Sequence, residues 1–165
     1  MVIRLMTMSD GAPTAAEFAA FIRDVEPGLR QALVATYGAF DGREATVDAL
    51  SWAWEHWDRI DGIANPTGYL YRVGQSATRR FAARHLPLFA DAASDREFPE
   101  IEPGLIPALN RLSTQQRTAV LLVYAFGWRQ TEVAALLDIS PPTVRTHLGR
   151  AIDRLRDELE VRDVG

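Results

Sequence analysis

The chain has 165 residues, so it has room for one ordinary domain or two very small ones. Of these residues 47% are hydrophobic, and the net charge is -4 at pH 7. It contains no cysteine, which excludes a disulfide framework and a thiolate metal site. No apolar run approaches the ~18 residues of a membrane span and no signal-peptide pattern opens the chain, so a cytoplasmic protein is expected.

Two helices are predicted in the first part of the chain. Thr14 and Glu17 have the spacing of a capping box, and apolar residues follow at helical spacing over residues 18–25. The Pro27-Gly28 pair is expected to end this helix and to start a second one. The second helix would bury Leu29, Leu33 and Tyr37.

A third helix is predicted to carry most of the tryptophans. Asp41 and Glu44 would cap it, and Asp61-Gly62 would end it. Its apolar residues at helical spacing, expected to face the core, are Val47, Leu50, Trp54 and Trp57. Trp52 lies off this stripe and could contact a partner.

Asn65 and Pro66 predict the start of a fourth helix, because Asn is a good N-cap and Pro is tolerated at the first helical position. This helix is expected to run to about Arg84, and its inward residues would be Leu70, Val73, Ala77 and Phe81. Residues 87–104 are rich in Pro, Asp and Glu and are predicted to be a flexible linker. Strand-like alternation is absent, so the chain is predicted to be all-α, with small domains at 1–86 and 105–165.

The C-terminal domain is predicted to be a helix-turn-helix. After a short helix near 106–111, Ser113 and Gln116 form a capping box, and Gly127 suits the position just past a helix end. A helix over 131–137 and a turn over 138–140 follow, and Ser140 and Pro141 are typical of the start of the next helix. That helix would bury Val144, Leu148, either Ala151 or Ile152, and Leu155.

The opposite face of the last helix is basic and polar, with Arg145, Thr146, His147, Arg150 and Arg154. In a helix-turn-helix the second helix lies in the major groove of DNA. An ordinary helical hairpin with a solvated basic face has the same spacing, so this pattern alone leaves both interpretations open.

The same stretch resembles region 4 of bacterial sigma factors of the extracytoplasmic-function group. The family typically has Leu-Pro-x-x-x-Arg, Glu-Ile-Ala, Gly-Thr-Val-Lys/Arg-Ser-Arg/His, Arg-Ala and Leu-Arg. The matching residues are Leu112, Arg117, Glu132-Val133-Ala134, Thr143-Val144-Arg145-Thr146-His147, Arg150-Ala151 and Leu155-Arg156. Ser113 replaces the usual Pro and Pro142 the usual Gly, and both suit the N-terminal positions of a helix.

An earlier stretch resembles region 2 of the same group, whose form is Arg-Ala-Trp-x-x-Trp-Asp-x-Leu and then Asn-Pro-x-x-Trp-Leu-Tyr-Arg-Val. It covers residues 52–60, then Asn65-Pro66, then residues 69–73. Ser76 stands where the family commonly has Asn, and Arg80 where it commonly has Asp. The two resemblances follow the family's order and cover nearly all of the chain beyond Thr14.

The resemblance implies an alternative sigma factor that binds core RNA polymerase and directs promoter recognition and transcription initiation. The minus-35 element would be read by Arg145, Thr146, His147, Arg150 and Arg154. The minus-10 element would be opened by Tyr69, Tyr71, Arg72, Ser76, Arg79 and Arg80. Polymerase would be contacted by Glu44, Asp48, Trp52 and Glu55. Partners would be core polymerase, promoter DNA and a candidate anti-sigma factor, with no metal or cofactor.

Two other functions fit the same residues. A sigma-like helix-turn-helix regulator would bind DNA, or occupy polymerase, without initiating transcription itself. In a helical interaction module the helix-turn-helix would be residual. An enzyme is not expected, because the chain has no phosphate-cradling glycine loop, activated nucleophile or converging pair of acids.

Overall fold

The structure, a computed structural model, describes residues 12–78 and 104–163. Within these ranges all regular elements are helical, which confirms the predicted fold class. Among the helices described, none is both long and apolar enough to cross a lipid bilayer. The elements are α1 (Ala15–Tyr37), α2 (Ala39–Glu55), α3 (Trp57–Ile60), α4 (Pro66–Thr78), α5 (Leu105–Arg111), α6 (Thr114–Val120), a π-helical turn (Leu121–Ala125), α7 (Gln130–Leu137) and α8 (Pro141–Asp163).

The first helix is continuous, so the predicted break at Pro27 is wrong. Proline removes one backbone hydrogen bond and crowds the carbonyl one turn before it. Pro27 is exposed, so water can solvate that carbonyl. Val25 before it and Leu29 and Leu33 after it lie on one buried face, and burying this face as a single helix outweighs the local cost.

The second helix follows the first after a single residue. The N–H of Gly38 donates to the carbonyl of Val34 (2.8 Å), and the carbonyl of Gly38 accepts from the N–H of Gly42 (2.9 Å). Gly38 has φ 90° and ψ 175°, a conformation essentially confined to glycine. The predicted cap at Asp41 is therefore wrong, and Asp41 lies in the first turn of α2.

The buried face of α2 consists of small residues, namely Gly42, Ala45, Thr46, Ala49 and Ala53. The predicted core stripe is wrong for Val47 and Trp54, which are 62% and 45% exposed. Leu50 and Trp57 are half-buried. The helices α1 and α2 approach so closely that only small side chains fit between them.

Replacing Gly42 with alanine is expected to destabilise the protein by about 1–3 kcal/mol, because overpacking forces the surroundings to move. The added Cβ would lie 2.5 Å from the Cα of Val34, and backbone cannot yield as a side chain can. Gly149→Ala is the matched control, since a Cβ there meets nothing within 4 Å. It should stabilise the exposed helix by about 0.5–1 kcal/mol. Urea unfolding measures both variants, and equal stability of the two would contradict this packing.

The fourth helix begins as predicted. The side-chain oxygen of Asn65 accepts from the N–H of Gly68 (2.9 Å), and Pro66 occupies the first helical position. Leu70 is fully buried. Of the expected inward residues Val73 and Ala77 are half-buried. The predicted continuation to Arg84 with Phe81, and most of the linker at 87–104, lie outside the described residues.

The C-terminal helices also begin at predicted caps. The N–H of Gln116 donates to Ser113 Oγ (3.3 Å), and the N–H of Ser113 donates to Gln116 Oε1 (3.2 Å). After the π-helical turn, Gly127 takes φ 72°, the left-handed conformation that favours glycine. The C-terminal helices pack on the N-terminal ones, with α6 and the π-helical turn against α1, and α7 against α4. One contiguous apolar core results.

Candidate nucleic-acid and protein interfaces

The helix-turn-helix consists of α7, a three-residue turn and α8. α7 begins one residue before the predicted start, and the N–H of Arg129 donates to Glu132 Oε2 (2.7 Å) at that end. Asp138 then takes the left-handed conformation with φ 56°. The N–H of Ile139 donates to the carbonyl of Ala134 (3.1 Å), and α7 ends there.

The α8 helix starts at the predicted cap and buries the predicted face. Ser140 Oγ accepts from the N–H of Thr143 (3.2 Å), and Pro141 is the first helical residue. Of the two residues that the sequence left as alternatives for the buried face, Ala151 is fully buried and Ile152 is half-buried. The other buried residues are Val144, Leu148 and Leu155. They pack against α6 and α7 and so fix which face of α8 points outward.

The outward face of α8 is cationic. Arg145, Arg150 and Arg154 are exposed, and none belongs to an ion pair in the part of the chain that the structure describes. Thr146 is exposed and its hydroxyl donates to the carbonyl of Pro142 (3.1 Å), which leaves its oxygen free to accept. His147 is half-buried. Arginine forks suit both phosphates and guanine edges, so this face can bind DNA.

The residues expected at the minus-10 element are only partly accessible. Arg72 and Ser76 are exposed, and Tyr69 is half-buried. Arg79 and Arg80 lie outside the described residues. Ser76 Oγ donates to the carbonyl of Arg72 (3.1 Å), so its hydroxyl is engaged within α4.

Tyr71 offers no face to a base in this arrangement, contrary to the expectation. The residue is 2% exposed, and its hydroxyl lies 2.8 Å from Thr36 Oγ1. Burial raises the pKa of Tyr71 to about 12. The phenol is therefore neutral throughout the physiological pH range and acts as a buried hydrogen-bonding group.

The outer face of α2 carries the acids expected to contact polymerase. Glu44, Asp48 and Glu55 are exposed. Trp52 is half-buried, stacks on His56 with ring centroids 4.3 Å apart, and lies 5.7 Å from Tyr69. Trp52 is thus mainly a packing residue that remains partly exposed.

Sequence reasoning missed an apolar row on this same surface. Phe40, Val47 and Trp54 are 52%, 62% and 45% exposed and recur every seven residues. Seven-residue spacing keeps side chains in line along a helix, which suits docking against another helix. The small residues at 42, 45, 49 and 53 were the available signal, since they form a second stripe at helical spacing.

The described residues contain no cluster of three or more His or carboxylate side chains that could hold a metal ion. Two exposed surfaces are candidates for interaction: the outward face of α8, and the acidic and apolar outer face of α2.

Known proteins are similar to most of this chain. The family description sigma-70, region 4, matches residues 105–155. The chain is 42% identical over 136 residues to the RNA polymerase sigma-E factor of Streptomyces antibioticus, covering 75% of this chain and 73% of the relative. It is 31% identical over 157 residues to the sigma-E factor of Streptomyces avermitilis, covering 90% and 88%.

The fold has a counterpart among solved structures. The sigma factor RpoE from Bartonella quintana, solved with the anti-sigma factor NepR, superposes with a TM-score of 0.60 at 22% identity, over 87% of this chain and 97% of that one. This likeness shows the fold, and the two Streptomyces relatives show the family. The chain belongs to the extracytoplasmic-function group of RNA polymerase sigma factors, the subunits that direct transcription initiation.

Proposed function

We propose that this sigma factor binds core RNA polymerase through the outer face of α2 and reads the minus-35 element with the outward face of α8. The observation that carries this proposal is the cationic face of α8, which is held outward because Val144, Leu148, Ala151 and Leu155 anchor the opposite face. The minus-10 element would be met by the exposed part of α4, with Arg72 and Ser76, and by Arg79 and Arg80 beyond it.

A contribution of polymerase to DNA binding would account for the net charge of -4. A net charge of -4 disfavours DNA binding by the protein alone, because neutralisation of phosphates supplies most non-specific DNA affinity. Polymerase would therefore supply much of the DNA binding. We propose domain limits at 1–86 and 105–165, with 87–104 as the tether, supported by the sigma-70 region 4 match that begins at residue 105.

Run-off transcription with purified core polymerase on genomic fragments tests the proposed function. Defined transcripts are expected only when both the protein and polymerase are present. A submicromolar, sequence-specific complex with promoter duplex in the absence of polymerase, without any transcript, would instead favour the non-initiating regulator.

We also propose an anti-sigma factor as a partner, because the Bartonella quintana sigma factor was solved with one. Its binding to this chain should suppress run-off transcription in proportion to occupancy. A protein that binds the chain without lowering its output would not have this role.

Strand opening is expected to limit this factor more than polymerase recruitment does. Unstacking costs a few kcal/mol per base step, and a sigma domain offsets that cost by capturing unpaired bases. Here Ser76 and Arg80 replace the family's Asn and Asp, and Tyr71 is buried, so base capture is weakened. A template with a pre-melted minus-10 bubble should raise the transcript output of this protein, relative to a duplex template. The increase should be larger than that for a family member with Asn and Asp at the two positions. The matched variant Ser76→Asn with Arg80→Asp should be stimulated by the bubble to an extent closer to that of the family member. Equal stimulation of the wild type, the variant and the family member would contradict the expectation that strand opening is limiting.

A further inference from the structure

The apolar row on α2 has one end beside the start of α1. Trp54 packs edge-on against Phe18, with ring centroids 4.9 Å apart. Phe18 follows Thr14, the N-cap of α1, by about one turn of helix. The chain that precedes Thr14 is therefore joined to the described structure close to Trp54, at one end of the row.

The row is long and uncovered by the other residues that the structure describes. Its three side chains, Phe40, Val47 and Trp54, are between 45% and 62% exposed. Contiguous apolar surface of this kind usually marks an interaction site. The row extends from residue 40 to residue 54, which is ~21 Å at ~1.5 Å per helical residue.

The first stretch of the chain, residues 1–11, lies outside the described residues, and its composition suits this row. Six of its residues are apolar, namely Met1, Val2, Ile3, Leu5, Met6 and Met8. These include all three methionines of the chain. Methionine adapts to irregular apolar surfaces and makes favourable contacts with aromatic rings. Eleven residues span at most ~36–40 Å when extended, so this stretch is long enough to reach from Trp54 to Phe40.

The charges beside the row favour this stretch over a second copy of the protein. Glu44, Asp48 and Glu55 are exposed on the same face of α2. Two copies docked row to row would bring these acids close to their counterparts, and like charges across an interface oppose association. Residues 1–11 instead carry Arg4 among their apolar residues and no acid before Asp10.

We propose that residues 1–11 dock on the apolar row of α2 when the protein is free, and that polymerase must displace them. The docking is argued from the row and the stretch themselves, whereas the competition with polymerase rests on the proposed function. Attachment to the same chain raises the effective concentration of a ligand into the millimolar range, so even a weak contact is populated. The apparent affinity for polymerase then falls in proportion to the fraction of molecules whose row is free.

Disulfide formation in the full chain tests the docking without polymerase. The natural chain has no cysteine, so Thr7→Cys with Ser51→Cys introduces the only two thiols, one in the stretch and one at an exposed position on α2. Thr7→Cys with Arg23→Cys is the matched control, because Arg23 is also exposed and lies within ~15 Å of Thr14 along α1. Each rate is divided by the reactivity of the single thiols toward oxidised glutathione, which corrects for differences in thiol chemistry.

Docking should make the Ser51 pair close at least ~5-fold faster than the Arg23 pair, because it raises the local concentration of one thiol about the other. Adding Val47→Ser to the Ser51 pair should slow closure toward the control rate. Equal rates for the two pairs would overturn the docking, and a rate that Val47→Ser leaves unchanged would overturn the row as its site.

Substitutions in the stretch test the competition. Ile3→Ser with Met6→Ser removes two apolar side chains without altering α2. The variant should bind core polymerase ~2- to 10-fold more tightly than the wild type, which corresponds to a row that is free in ~10–50% of wild-type molecules. Thr7→Ser with Ser9→Thr is the matched control and should bind as the wild type does. Unchanged or weaker binding by the Ile3 and Met6 variant would overturn the competition.

The two measurements keep this proposal distinct from the proposed function. If the wild-type protein and both variants fail to bind polymerase, the proposed function is wrong and the competition falls with it. The disulfide rates still decide in that case whether residues 1–11 dock on the row.

Discussion

Replacing Arg145 and Arg150 together with alanine is expected to lower transcription from a minus-35-dependent promoter by at least about 30-fold while leaving polymerase binding unchanged. Each arginine that pairs with a guanine edge contributes ~1–3 kcal/mol of discrimination, so two lost contacts cost at least ~2 kcal/mol. Both side chains are exposed, away from the buried face of α8, so the fold should be retained.

Arg23→Ala with Arg30→Ala is the matched control for this double substitution. It removes the same charge from an exposed face of α1, where Arg30 makes only a surface ion pair with Glu26. Control output should stay near that of the wild type. Undiminished output from the Arg145 and Arg150 variant would show that another surface reads the minus-35 element.

Replacing Val47 with serine and Trp54 with alanine is expected to weaken binding to core polymerase by roughly 10- to 100-fold. Large exposed aromatic residues dominate the free energy of many interfaces, often at ~2 kcal/mol or more each. Trp54 sits in an apolar row beside Glu44, Asp48 and Glu55, whose charges would steer a basic partner.

Stability must be measured on this variant as well, because Trp54 also packs edge-on against Phe18 with centroids 4.9 Å apart. The Val47→Ser single variant separates the two effects. Val47 is 62% exposed, and surface substitutions usually change stability by less than ~0.5 kcal/mol. Wild-type affinity for polymerase in both variants would place the docking surface elsewhere.

Local signals predicted the helix starts well. The caps at Thr14, Ser113 and Ser140 depend on a side chain and a backbone N–H three residues apart, and all three form as expected. The helix-turn-helix was predictable for the same reason, since its turn and both of its helices lie within one short stretch.

The errors occurred where distant residues decide the outcome. Pro27 marks a break in local terms, but a shared buried face keeps α1 continuous. Along α2, Val47 and Trp54 on one side, and Ala45 and Ala49 on the other, both recur at helical spacing. Helical periodicity fits both stripes equally well. The small residues form the buried stripe because α1 approaches α2 closely on that side.

The burial of Tyr71 likewise depends on residues that are distant in the sequence. Its hydroxyl meets Thr36, 35 residues earlier in the chain, and Thr36 in turn meets Thr118, 82 residues later. Nothing near Tyr71 in the sequence distinguishes a residue that stacks on bases from one whose hydroxyl meets a buried threonine of another helix.

Site-directed DNA cleavage in the polymerase complex tests most directly whether the two domains read two separate promoter elements. Gly149→Cys places a lone thiol on α8, where an added Cβ meets nothing within 4 Å, and Ala64→Cys places one at the exposed start of α4. With an iron chelate attached, the first should cut a promoter fragment near the minus-35 element and the second near the minus-10 element. The two cuts should lie ~25 base pairs apart, which is ~85 Å along the duplex at ~3.4 Å per base pair. Both patterns should require core polymerase. Cuts by both proteins at one position, or patterns that are unchanged without polymerase, would contradict the account.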